Sequence, residues 1–142
     1  MDNIQKIAET TYEKNILITA EMVGFFGEAT GDRNPLHFDE EFAKNTRFKR
    51  TIVHGALTVG LISACLTDCY GTGTIFLRQD IEFKNPLHIG DEVMIEFYNE
   101  KHAWRNRVKL CIIATVNDRH IVDGWVRIIK GDPKIHIDTT HD

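Results

Sequence analysis

From Ile75 onward the chain alternates. Ile75, Leu77, Ile81 and Phe83 are apolar while Arg78, Asp80, Glu82 and Lys84 are charged, a period of two that predicts a strand with one face buried. Asn85-Pro86 and Gly90-Asp91 interrupt the pattern as turn residues, and Val93, Ile95 and Phe97 resume it. Val108, Leu110, Ile112, Ala114 and Val116 make a third such strand closed by Asn117-Asp118, and Val122 to Ile129 a fourth. Upstream the period lengthens. Gly55 to Tyr70 carries apolar residues on nearly every side, which predicts a helix buried all round. It is too short, and too polar at Thr58, Ser63 and Thr67, to span a bilayer, and Gly71-Thr72-Gly73 ends it. Ala20 to Ala29 reads as a second helix, with Thr19 as N-cap and Met22, Val23 and Phe26 turned inward, stopping at Gly31. Asp39 can cap a short helix through Phe42 and Ala43, Lys44 to Thr51 looks exposed, and Tyr12 to Leu17 is a weak first strand.

One long apolar helix ahead of four or five antiparallel strands implies an α+β domain in which a curved sheet wraps around the helix, the hot-dog arrangement. With 142 residues, 42% of them hydrophobic, the chain is long enough for one real core and too short for two. The core is expected over about residues 12–130, with residues 131–142 as a tail. A single sheet of this size leaves an edge and part of a face open, so a homodimer at least is expected.

Net charge is −4 and the basic residues are not gathered on one long face, which disfavours binding along nucleic acid and points to a small ligand. No apolar run is long enough for a membrane span, and Met1 to Lys6 lacks the charged-then-apolar pattern of a signal peptide, so a cytoplasmic protein is expected. Cys65, Cys69 and Cys111 are an odd number without C-x-x-C spacing, most simply small buried hydrophobes in a reducing compartment. The seven histidines show no metal-ligand spacing, and no metal is expected.

The unusual chemistry is concentrated between Phe25 and Gly60. Gly31-Asp32-Arg33-Asn34-Pro35-Leu36-His37 is a turn-forming run: Gly31 permits positive φ, Asp32 and Asn34 can bond neighbouring amides, and Pro35 pushes Asn34 out of the helical region. A rigid loop of this kind can make Asp32 and His37 converge, as acid–base chemistry on a bound water requires; an Asx-turn that merely ends a helix is the plainer reading. What tips the balance is His54-Gly55 at the head of the apolar helix. There Gly55 leaves backbone N–H groups and the positive end of the helix dipole pointed at whatever approaches, an oxyanion or anion site.

These residues resemble the MaoC-like, (R)-specific enoyl-CoA hydratases, also called hydratase 2. From Phe26 to Ala43 the pattern F-x-E-x-T-G-D-x-N-P-L-H-x-D-x-x-F-A stands intact, extended by His54-Gly55, Phe83-Lys84-Asn85-Pro86 and Gly90-Asp91; the likeness covers roughly residues 15–130. The resemblance implies a hydro-lyase in which Asp32 and His37 hold the water that adds to C3 of a trans-2-enoyl thioester and return a proton to C2, giving syn addition and an (R)-3-hydroxyacyl product, or the reverse dehydration. It implies that the Gly55 N–H bonds the thioester carbonyl, that Asn34 positions the loop or the thioester, and that no cofactor or metal is needed beyond the coenzyme A of the substrate. Some relatives carry a serine where this chain has Gly60, a hydroxyl this chain does without.

Arg47, Lys49 and Arg50 are candidates for the phosphates of coenzyme A or an acidic acyl carrier protein, with a solvated loop as the plainer reading. His54 is a further substrate-side candidate that can also orient the loop or satisfy a buried carbonyl. Trp104 and Trp125 read as packing residues. Two other activities fit the same fold, a hot-dog thioesterase and a non-catalytic acyl-binding partner subunit. The complete Asp32, Asn34 and His37 loop argues against both.

Overall fold

The computed structural model describes residues 9–132 and 134; the amino-terminal Met1 to Lys6 stretch and the tail histidines His136 and His141, to which no role is assigned, lie outside the described residues. Strand β1 (Thr10–Leu17) leads into helix α1 (Ala20–Thr30), a 3-10 turn (Pro35–His37), short helix α2 (Glu40–Lys44) and the long helix α3 (Gly55–Tyr70). Strands β2 (Ile75–Phe83), β3 (Glu92–His102), β4 (Arg107–Val116) and β5 (Arg119–Ile129) follow. All five strands form one antiparallel sheet in the order β1-β3-β4-β5-β2, so the strands flanking the helical half of the chain lie at its two edges.

The period-two reading places the inward faces. Val93, Ile95 and Phe97 of β3, Val108, Leu110, Ile112 and Ala114 of β4, and Val126 and Ile128 of β5 are all buried. With Ile62, Cys65, Leu66 and Tyr70 of α3 they make one core, the hot-dog arrangement of a sheet laid over a helix. Each large side chain taken fully out of water contributes about 1.5–3 kcal/mol, and this shared core fixes where α3 begins. Asn117 and Asp118 close the β4–β5 hairpin with φ of 48° and 64°, the two positive values that a tight hairpin turn demands. No helix is long and apolar enough to cross a membrane among the described residues.

Three expectations need correction. Helix α3 is not buried all round: Thr58, Ile62, Cys65, Leu66 and Tyr70 face the core, while Ala56, Gly60 and Ala64 lie exposed on the opposite side. One sheet covers only one side of a helix, and the small residues four apart leave the other side open and flat. Trp104 is not a packing residue; it stands 70% exposed in the β3–β4 turn with the Arg105 guanidinium 3.9 Å over its ring. Trp125 is half-buried on β5 with Lys109 Nζ 4.3 Å above it. Of the three free cysteines only Cys65 is fully buried.

Candidate active site

The loop after α1 is built by a relay of short side chains. Gly31 takes φ of 74° and donates its N–H to the Gly27 carbonyl at 2.9 Å, ending the helix in the left-handed conformation glycine adopts freely. Thr30 Oγ1 donates to the Phe26 carbonyl and accepts the Asp32 N–H at 3.1 Å. Asp32 Oδ1 accepts the Asn34 N–H at 3.2 Å, and Asn34 Oδ1 accepts the Leu36 N–H at 3.1 Å, capping the 3-10 turn that Pro35 opens. The N–H groups of Gly31, Asp32, Asn34, Leu36 and His37 are therefore all held, and the Asp32 side chain stays exposed at the surface of the loop. The Asn34 oxygen is spent on the loop, so Asn34 acts here as a cap.

The segment Thr51 to Val53 brings the second wall. Ile52 N–H donates to the Leu36 carbonyl at 3.2 Å, Val53 N–H to the Leu87 carbonyl at 2.8 Å, and His88 Nδ1 to the Thr51 carbonyl at 3.0 Å. So fixed, the Ile52 carbonyl faces His37 Nδ1 at 2.7 Å. A carbonyl oxygen can only accept, so that nitrogen carries the hydrogen and Nε2 of the neutral ring is left with its lone pair. Donor atoms of Asp32, His37 and His54 lie within 4.8 Å of one another. The sequence thus brings the carboxylate and the imidazole together as its loop chemistry suggests.

His54, the residue before α3, lies beneath this pair. It is 2% exposed, its ring centroid is 3.9 Å from that of His37 at an interplanar angle of 34°, and Phe26 and Phe38 close around it at 4.7 and 5.4 Å. Its Nε2 faces the Asp32 carbonyl at 3.3 Å. Burial pushes its pKa below the ordinary histidine range; the hydrogen bond to Asp32 opposes that, and charge on His37 adds to it. Asp32, His37 and His54 are also the group whose closeness would let a cation bridge them.

Gly55 opens α3 with no side-chain cap from His54, and no hydrogen bond among the described residues takes its N–H. The far edge of the Phe83 ring comes up against it: a Cβ at Gly55 would sit 2.9 Å from Cε1 and Cζ of that ring. Around this point is a cavity of about 390 Å³ lined by Arg47, Phe48, Val53, Gly55, Phe83 and Leu87 among others. Ile52 also lines it, so the residue whose carbonyl holds His37 connects the Asp32–His37 pair to the cavity wall, although Asp32 and His37 do not themselves line it. Of the basic cluster only Arg47 reaches this rim; Lys49 and Arg50 are exposed in the loop and do not line the cavity.

Four contributors escaped the sequence reading. Thr30 carried a usable signal, a hydroxyl immediately before Gly-Asp that can bond the amide two residues on. Phe38 packs under Gly27, where a Cβ would lie 2.6 Å from its ring, and Phe83 packs on Gly55; both contacts depend on the tertiary fold. The Ile52 carbonyl is backbone, and no residue type announces it.

The model of the MaoC-like domain matches residues 3–119. A 3-hydroxybutyryl-CoA dehydratase of Methylorubrum extorquens is 39% identical over 84% of this chain and 76% of its own length. An (R)-specific enoyl-CoA hydratase of Aeromonas caviae is 37% identical over 83% of this chain and 85% of its own. Among solved structures, an unliganded R-hydratase from Pseudomonas aeruginosa superposes with a TM-score of 0.83 at 29% identity, covering 96% of this chain and 89% of that one. By loop, fold and sequence alike, the chain belongs to the MaoC-like domain family.

Proposed function

We propose that the protein is a hydro-lyase that adds water to trans-2-enoyl-CoA to give (R)-3-hydroxyacyl-CoA, and runs the reverse dehydration as concentrations dictate. The observation that carries this reading is the His37 ring, tied at Nδ1 to Ile52 and so left with an open Nε2, on a side chain that has a ring nitrogen within 4.8 Å of the Asp32 carboxylate. In the proposed course, a water between the two gives one proton to His37 Nε2 while Asp32 accepts its other hydrogen. The water oxygen bonds to C3, and the C2=C3 pair shifts toward the thioester carbonyl, whose oxygen takes the Gly55 N–H. The imidazolium then delivers the proton to C2 from the same side, and the carbonyl re-forms. The addition is syn, and water and enoyl thioester are fully accounted for in the product. A positioned base contributes about 10² to 10⁴ in rate and one oxyanion donor about 10² to 10³.

Arg47 at the cavity rim supports a contact with the phosphates of coenzyme A or with an acidic carrier protein. The open α3 stripe of Ala56, Gly60 and Ala64, with exposed Ile75 and Leu77 on edge strand β2, supports a homodimer. Three free thiols suit a reducing, cytoplasmic setting.

The test is loss of enoyl absorbance when the protein meets crotonyl-CoA, with chiral analysis of the product. (R)-3-hydroxybutyryl-CoA is the expected result; release of free thiol without hydration means a thioesterase, and binding without either change means an acyl-binding subunit. A second expectation concerns the cavity. Gly55→Ala, by pushing the exposed Phe83 ring across the mouth of the cavity, is expected to raise KM about tenfold, equivalent to about 1.4 kcal/mol of binding. Adding Phe83→Ala should relieve the crowding. A double variant no better than Gly55→Ala would mean that the ring is not what the methyl group meets.

A further inference from the structure

One polar atom in the site has no role in the reaction just described. His54 Nδ1 is buried without a hydrogen-bond partner, and in a native structure a buried polar group left unpaired asks for an explanation. The opposite nitrogen, Nε2, faces the Asp32 carbonyl at 3.3 Å; since that oxygen can only accept, the hydrogen sits on Nε2 and the lone pair on Nδ1. The tautomer is therefore the one that strands an acceptor in the interior. The rings around it, Phe26, Phe38 and His37, come from α1 and from the loop, and the charged or titratable groups that face it are Asp32 and His37.

We infer that His54 is a positioning residue for His37 and Asp32: a neutral imidazole that clamps the loop through Nε2–H and presents His37 with a flat, electron-rich face that favours the positive charge His37 acquires in turnover. The inference rests on the reading of Asp32 and His37 as the acid–base pair. His37 becomes an imidazolium when it takes the proton of water, and its ring centroid lies 3.9 Å from that of His54, well inside the distance at which a cation gains from an aromatic face. Water would solvate that charge equally well in every state of the reaction. A buried neutral ring needs no reorganisation at the moment the charge arrives, and that is the advantage of a preorganised site. If His54 were itself protonated, the charge on His37 would face a second charge at the same distance, so the stack functions only while His54 is neutral. Its burial and the depressed pKa that follows keep it so. The Nε2–H contact adds a mechanical part. It joins the residue that caps α3 to the backbone of the catalytic carboxylate, 22 positions earlier in the chain, so that the Gly55 N–H and Asp32 keep a fixed separation.

Two measurements test this. His54→Phe keeps a buried flat ring and removes both the clamp and the ring nitrogens. It is expected to lower kcat for crotonyl-CoA about ten- to a hundredfold, as loss of positioning does, and to leave KM within about twofold, since no ground-state contact to substrate is lost. His54→Gln restores a donor toward the Asp32 carbonyl without the ring, and should recover part of the lost kcat. A His54→Phe enzyme with unchanged kcat, or one whose loss lies wholly in KM, overturns the inference. The second measurement uses the unaltered protein and serves even where the variants fail to fold. Long-range proton–nitrogen spectra of histidine-labelled protein at pH 7 should show His54 neutral, with hydrogen on Nε2 and an unbonded Nδ1. A hydrogen on Nδ1, or a charged ring, overturns it. Should wild-type protein fail to hydrate any enoyl thioester while these spectra come out as expected, the proposed function falls and the geometry of the His54 clamp stands.

Discussion

Asp32→Asn and His37→Gln are each expected to lower turnover of an enoyl thioester at least about a hundredfold while leaving the chain folded, because each keeps approximate shape while the first removes the charge that holds the water and the second the base that takes its proton. The two side chains act on one water within 4.8 Å of each other, so the double variant should be little slower than the worse single one. Asp32→Asn also keeps one side-chain oxygen to accept the Asn34 N–H, which spares the turn and confines the change to charge. In His37→Gln the amide can reach toward the Ile52 carbonyl but offers no basic nitrogen beyond it. Steady-state rates with crotonyl-CoA, read beside melting curves, decide the matter. Near-normal turnover in either variant removes that residue from the mechanism, and strictly additive losses mean that the two serve separate steps.

The largest effect on stability is expected far from the loop. Gly124 lies on β5 opposite Ile81, with φ of 157°, and a Cβ there would fall 2.1 Å from the Asp80 carbonyl oxygen and 2.7 Å from the Ile81 Cα. Those are backbone atoms of the paired strand and cannot swing aside as a side chain end can. Gly124→Ala must therefore push β2 away from β5, at a cost of about 3 kcal/mol or more in unfolding free energy. Gly60→Ala is the control, since nothing lies within 4 Å of a Cβ at that helical position, and alanine there should gain about 0.5–1 kcal/mol of helix propensity. Urea unfolding of both variants makes the comparison, and a Gly124→Ala protein as stable as its parent would mean that β2 and β5 are not so closely apposed.

The contrast between those glycines shows what the sequence makes legible. Alternation located all four later strands, because a half-buried sheet imposes a period of two on side chains whatever their long-range partners. The chemistry of Gly31 to His37 was legible for a similar reason: Asx and proline turns are local, and the residues that hold Asp32 are its own neighbours. Contacts made at long range were not legible. Nothing about Gly124 in the sequence says that a carbonyl of β2 passes beside it, and nothing about Ile52 says that its carbonyl fixes a histidine ring 15 positions earlier. The open side of α3 misled for a related reason. Apolar composition reports that a surface avoids water, and a neighbouring copy of the chain can cover it as well as the chain's own sheet.

The strand order also bears on how the molecule assembles in time. Strands β3, β4 and β5 pair in sequence through short turns, so the centre of the sheet can form from local contacts with little loop-closure entropy. Strands β1 and β2 close the edges through contacts of longer range, with the helices between them: β1 reaches β3 across a gap that includes the whole helical half of the chain and β2. The Gly31 to His37 loop is thus separated from the segment where folding can nucleate. Its exposed carboxylate and its left-handed glycine, and the unpaired ring nitrogen of His54 beneath it, can be tolerated there without slowing the search for the fold, and the burden of changing them falls on the rate at which the finished protein opens.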